Sequence, residues 1–102
     1  MTFDGEAPDI DTLLHEPARL KILAILAMVE SADFMYLLRH TGLSRGNLSV
    51  QLGKLDEAGV IRLDRQLAGS RPRTSYVLTD QGIERLRGYK HTMLAVLASC
   101  PG

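Results

Sequence analysis

TGLSRGNLSVQLGKLDEAGV, residues 41–60, is the stretch that decides the architecture. Gly42 is the left-handed stop that a helix end commonly needs, and only Leu43 separates it from Ser44, whose hydroxyl can cap the next helix. Leu43, just ahead of that cap, faces Leu48 at the fourth helical position as a hydrophobic staple, which fixes the angle at which the chain turns. Leu48, Leu52 and Leu55 follow at i, i+4, i+7 and bury one face. The helix, spanning 44–58, ends at Gly59 after Glu57 and Ala58. Its opposite face, bearing Arg45, Asn47, Ser49, Val50 and Lys54, is where function is expected.

Upstream, Asp33 caps a helix of about two turns through Phe34, Leu37 and Leu38. Before that, PARLKILAILAMVE (17–30) has Pro17 at the favoured first helical position and no internal breaker. On a helical wheel Leu20, Leu23, Ala24 and Ala27 form one stripe, while Ile22, Ile25, Leu26 and Val29 fill most of the rest. Such all-round apolarity predicts burial on two sides, the second covered by another part of the chain or by a second subunit. The first sixteen residues carry Asp4, Glu6, Asp9, Asp11 and Glu16 with no Lys or Arg. They are expected to form a frayed acidic arm (1–15) with a short helical turn near Pro8 to Leu14.

Downstream, the period changes to two. Ile61, Leu63 and Leu67 alternate with Arg62, Asp64 and Gln66, and a second strand over 74–78 places Tyr76 and Leu78 on one face. Between them AGSRPR (68–73) reads as a turn with a basic tip carrying Ser70, Arg71 and Arg73. Thr79 or Asp80 then caps a final helix, 80–100, bearing Ile83, Leu86, Met93, Leu94 and Leu97.

Helix, short helix, tight turn, helix and basic hairpin is the order of a winged helix-turn-helix. The expected fold is therefore α+β and mostly helical, with a two-stranded wing and a C-terminal dimerisation helix, as one domain over 1–102. EPARLKILAIL (16–26), LLRHTGLSRGNLSVQLGKLDEAGVI (37–61) and RPRTSYVLTDQG (71–82) together resemble the small winged-helix transcriptional regulators of the MarR and ArsR type. The resemblance implies a homodimer on double-stranded DNA, with helix 44–58 in the major groove and the wing on the flanking minor groove or phosphates.

The residue chemistry agrees. Arginine can donate two bonds to guanine and asparagine can pair bidentately with adenine, which suits Arg45 and Asn47 to reading sequence. Ser44 and the helix N-terminus suit a phosphate, Val50 a thymine methyl, and Lys54 a phosphate. Gly46 and Gly53 cost about 1 kcal/mol each relative to alanine in a helix interior, and close backbone approach to DNA is one explanation for them. The dimer interface is expected to use Ile22, Ile25, Ile83, Leu86, Met93, Leu94 and Leu97. The thiolate cluster of metal-sensing relatives is absent, so metal sensing does not carry over, and any effector site would lie between subunits.

Composition sets the excluded classes. With 102 residues, 45% hydrophobic and 24% charged, the chain has the make-up of one globular domain. A single cysteine, Cys100, closes no disulfide within the chain, and His15, His40 and His91 show no ligand spacing with it. The longest apolar run, residues 22–29, is too short to span a bilayer. A cytoplasmic protein without cofactor, metal or membrane partner is expected, and no catalytic constellation stands out to make it an enzyme. Lacking anything to recruit polymerase, it reads as a repressor. A winged-helix protein-interaction module is the rival, and an effector-responsive enzyme fragment a weaker one.

Formal net charge is zero, twelve basic side chains against twelve acidic. That zero is a sum of unlike segments. Residues 1–16 carry five acidic groups and no basic ones, whereas residues 39–73 carry seven basic (Arg39, Arg45, Lys54, Arg62, Arg65, Arg71, Arg73) and three acidic, a net of +4. The basic segment coincides with the helix-turn-helix and wing.

Overall fold

A computed structural model describes residues 8–68 and 71–102, with the side chains of all of these except 66–68, 71 and 72. Its elements are α1 (Pro17–Met28), α2 (Phe34–Thr41), α3 (Arg45–Glu57), β1 (Ile61–Ala68), β2 (Arg71–Leu78) and α4 (Asp80–Ala98). The order and type of every element agree with the reading of the sequence.

Local chemistry sets the helix boundaries. Asp33 accepts from the Tyr36 N–H at 2.8 Å to start α2, and Gly42 ends it with φ +73°. Ser44 then accepts from the Asn47 N–H at 3.1 Å to start α3. That helix closes in a Schellman arrangement: Val60 N–H donates to the Leu55 carbonyl and Gly59 N–H, at φ +75°, to the Asp56 carbonyl, both at 3.0 Å. The side chains of Val60 and Leu55, fully buried, complete its apolar contact. At α1 the cap is Glu16, whose carboxylate accepts from the N–H groups of Ala18 and Arg19, both at 3.0 Å. Those backbone donors hold its carboxyl below the usual glutamate range.

The core gathers Leu14, Ile22, Leu23, Leu37, Leu48, Leu55, Val60 and Ile61 around α1. Ile22 and Ile25 were expected at a dimer interface. Both instead belong to the monomer core, with 0% and 9% of their surface exposed. Helix α1 packs against α2, α3 and β2 at once, so the chain itself covers that side. What α1 leaves outward is the other stripe: Ala24, Ala27 and Met28 are exposed and Leu20 is half-buried.

The wing also differs. Ala68 pairs with Arg71, Leu67 with Pro72 and Gln66 with Arg73, so β2 begins at Arg71 rather than at residue 74. Both strands of a two-stranded sheet are edges, where proline is tolerated. Ile61 opposes Leu78 and Leu63 opposes Tyr76, joining the apolar positions on one face. A short bridge unforeseen from the sequence ties this sheet to the α1–α2 connection: Ala32 N–H donates to the Tyr76 carbonyl at 3.1 Å and Tyr76 N–H to the Ala32 carbonyl at 2.8 Å.

The acidic arm is docked where it is described. Asp11 caps a turn over residues 12–14, and Leu14 is fully buried. Arg85 of α4 donates two bonds to the Asp11 carboxylate, at 2.6 and 3.1 Å. His15 Nδ1 and the Tyr89 hydroxyl lie 2.8 Å apart, a second tie to α4. The arm's residues 1–7 lie outside the described residues.

Candidate nucleic-acid interface

Helix α3 turns Leu48, Leu52 and Leu55 into the core, which leaves its other face to solvent. Ser44, Arg45, Asn47, Ser49, Val50 and Lys54 are all exposed. Helical spacing divides them. Val50, 53% exposed, lies on the line opposite the leucines between Gly46 and Gly53, while Asn47 and Lys54 flank that line on one side. Ser49 flanks it on the other, at the rim of a cleft of about 210 Å³ that reaches Leu63 and Tyr76 of the wing.

Among the described residues, a Cβ added at Gly46 or Gly53 would meet nothing within 4 Å, and neither glycine has a positive φ. Contacts among the described residues therefore do not explain these glycines. Their consequence is a central strip of α3 with low relief, along which backbone can approach a partner closely.

The polar side chains are partly held. Ser44 spends one lone pair on its cap, and the Arg45 guanidinium rests on the Met35 sulfur at 3.9 Å. Asn47 Oδ1 accepts from Gln51 Nε2 at 2.9 Å, and Gln51 Oε1 accepts from Arg19 Nη1 at 2.8 Å. Neither Gln51 nor Arg19 was singled out from the sequence. The i, i+4 spacing of Asn47 and Gln51 offered a signal for one, but no local pattern linked α1 to α3.

On the wing, Arg73 and Arg65 are exposed and Arg62 lies 4.0 Å from Asp64. Arg71 takes its place in β2 by its backbone, while its side chain and all of Ser70 lie outside the described residues. Among the described residues no group of three or more His, Cys, Asp or Glu side chains could hold a metal ion, and no helix is long and apolar enough to cross a membrane.

The apolar residues of α4 and the outward stripe of α1 line the two sides of one groove. Ile83, Leu86, Met93, Leu94 and Leu97 line a groove of about 860 Å³ together with Leu20, Ala24, Ala27 and Met28. Met28 is 80% exposed there and Leu94 62%.

Comparison with known proteins gives this geometry a family. Residues 18–97 match the model of the winged helix DNA-binding domain. The chain is 30% identical over 82 residues to an uncharacterized protein of Methanocaldococcus jannaschii, covering 80% of this chain and 89% of that one. A transcriptional regulator homologue from Pyrococcus horikoshii superposes with a TM-score of 0.78 at 28% identity, over 86% of this chain and 87% of that one. The transcriptional repressor CouR, solved on a 23-mer DNA duplex, superposes with a TM-score of 0.70 at 22% identity, over 86% and 58% of the two chains. MarR-family transcriptional regulators are among the structural neighbours. With a family match across residues 18–97, most of its length, the chain belongs to the winged helix DNA-binding domain family.

Proposed function

We propose that this protein is a sequence-specific duplex-DNA-binding transcriptional regulator, a cytoplasmic repressor acting as a homodimer. Helix α3 enters the major groove and the wing, residues 68–73, lies on the flanking groove or backbone. The observation that carries the reading is the outward face of α3, where the polar side chains of Ser44, Arg45, Asn47, Ser49 and Lys54 border a central line of Gly46, Val50 and Gly53 at a capped helix start. Arg45 and Asn47 supply donors and acceptors for base edges, while Lys54 and the wing arginines supply charge for phosphates.

Dimerisation is supported by the groove between α1 and α4, an apolar surface that a monomer would leave to water. Two copies joined there would set two α3 helices against successive major grooves about 34 Å apart. Occupying two such grooves blocks a promoter without contact to polymerase, which supports repression, the role named for CouR.

Selection of sites from random duplex DNA by the purified chain tests these claims together. The expected result is a two-fold-related pair of half-sites, bound with an affinity that falls steeply with salt. No duplex binding at low salt refutes the reading and favours a protein-interaction role. A single, unrepeated half-site refutes the dimer.

A further inference from the structure

We infer that Gln51 and Arg19 are positioning residues that lock the amide of Asn47 in one orientation, and so set which base Asn47 accepts. The inference rests on the proposal that α3 reads the major groove. Its basis is the direction of three linked hydrogen bonds. A guanidinium has only donors. Arg19 is held almost out of solvent, its side chain 12% exposed, by donating Nε to the Leu13 carbonyl at 2.6 Å. Its Nη1 then donates to Gln51 at 2.8 Å, so Gln51 must offer its carbonyl oxygen to Arg19.

The rest follows by elimination. With Oε1 committed, Gln51 can turn only its Nε2 protons toward Asn47, and Asn47 must answer with Oδ1, at 2.9 Å. A flip of the Asn47 amide would set one NH₂ group against another. What remains for a base is one lone pair on Oδ1 and the two Nδ2 protons. That is the acceptor-and-donor set which pairs with N6 and N7 of adenine. An unlocked amide can present the same groups in reverse and tolerate other edges, so the lock acts by excluding alternatives. Arg19 reaches this role from α1, on the side of α3 away from the wing, with no need to touch DNA itself.

A plainer role for the same bonds is an i, i+4 amide pair that steadies an exposed helix face. The two roles separate by measurement. Wild type, Asn47→Ala, Gln51→Met and Gln51→Glu, each as the full chain, are compared for thermal midpoint and for binding to the selected site with every base pair varied in turn.

Asn47→Ala is expected to flatten discrimination at one base pair per half-site by about 5- to 150-fold, the range for a bidentate contact. Gln51→Met is expected to flatten that same base pair severalfold with the salt slope held, while the Arg19 donor it leaves without an acceptor lowers the thermal midpoint modestly. Gln51→Glu is expected to change which bases are accepted there, because a carboxylate takes the Nδ2 protons and turns Oδ1 outward. Should Gln51→Met fail to fold, Arg19→Met cuts the chain of bonds at its other end and is read in the same way. Unchanged base preference in the Gln51 variants, or in Asn47→Ala, overturns the lock while leaving DNA binding intact. Absence of duplex binding by the wild type overturns both.

Discussion

Replacing Gly82 with alanine should separate α4 from the rest of the fold. The joint is built from backbone. Thr79 N–H donates to the Val60 carbonyl at 3.0 Å, the Thr79 hydroxyl donates to the Gly59 carbonyl at 2.6 Å, and Gly82 N–H donates to the Thr79 hydroxyl at 2.9 Å. Gly82 sits directly over Val60: a Cβ there would overlap the Val60 carbonyl oxygen and lie 2.9 Å from its carbon and 3.1 Å from Cγ1. Val60 is fully buried, so no flexible side chain can yield. Relief requires α4 to shift and its Thr79 cap to break. Overpacking costs about 1–3 kcal/mol and a lost cap about 1 kcal/mol, against at most about 1 kcal/mol regained in helix propensity. A net loss of about 1–3 kcal/mol lowers the melting temperature of a domain this size by about 4–24 °C.

Gly88→Ala, in the same helix, is the control. Among the described residues nothing lies within 4 Å of a Cβ there, so the propensity gain of about 0.5–1 kcal/mol should raise the midpoint. Thermal unfolding followed by circular dichroism, at matched protein concentration because the proposed dimer would couple to stability, reads both. A Gly82→Ala midpoint within a few degrees of wild type, or two shifts of the same sign, would refute the steric argument.

Four further outcomes are expected. Gly53→Ala should raise the melting temperature by a few degrees yet weaken duplex binding, since the methyl stands on the low strip of α3; binding unchanged by fluorescence anisotropy would mean that α3 does not approach DNA closely. Arg73→Ala should reduce the salt slope of binding by about one without altering base preference, which a salt titration checks. Leu94→Glu places a charge in the α1–α4 groove and should yield monomers by sedimentation, with weaker operator binding; a wild type already monomeric at micromolar concentration removes the dimer. The two bonds from Arg85 hold the Asp11 carboxyl below the usual aspartate range, so the bridge stabilises fully above the unfolded value of about pH 4 and is lost as pH falls through the lowered folded value. Asp11→Asn should therefore destabilise at neutral pH, and denaturant titrations should show its deficit shrinking below about pH 4; a constant deficit removes the ion pair as its cause.

The face of α3 left to solvent is legible in the sequence because everything that orients it lies within a few residues. Gly42, Ser44, the Leu43–Leu48 staple and the Gly59 stop act over one turn of chain, and three leucines at helical spacing choose the inward side. That local pattern alone puts Asn47 and Arg45 on the outward face. The i, i+4 partner Gln51 was also within reach of the pattern. Arg19 was not, because its link to Gln51 joins residues 32 apart.

Capping and periodicity are local, so the elements, their order and the side of α3 left free can be read from the chain of residues alone. Tertiary structure decided the rest. Helix α1 is apolar on all sides, and a period of 3.6 cannot say which side the chain covers; packing against α2, α3 and β2 buried Ile22 and Ile25 and left Leu20, Ala24, Ala27 and Met28 for the groove. The wing's second strand begins at Arg71 because pairing with β1 outweighs the turn propensity of proline and glycine nearby. Residues 11–15 dock because Leu14 finds the core and Asp11 finds Arg85, 74 residues away. Each of these depends on surfaces brought together only when distant segments pack, and composition along the chain carries no record of that meeting.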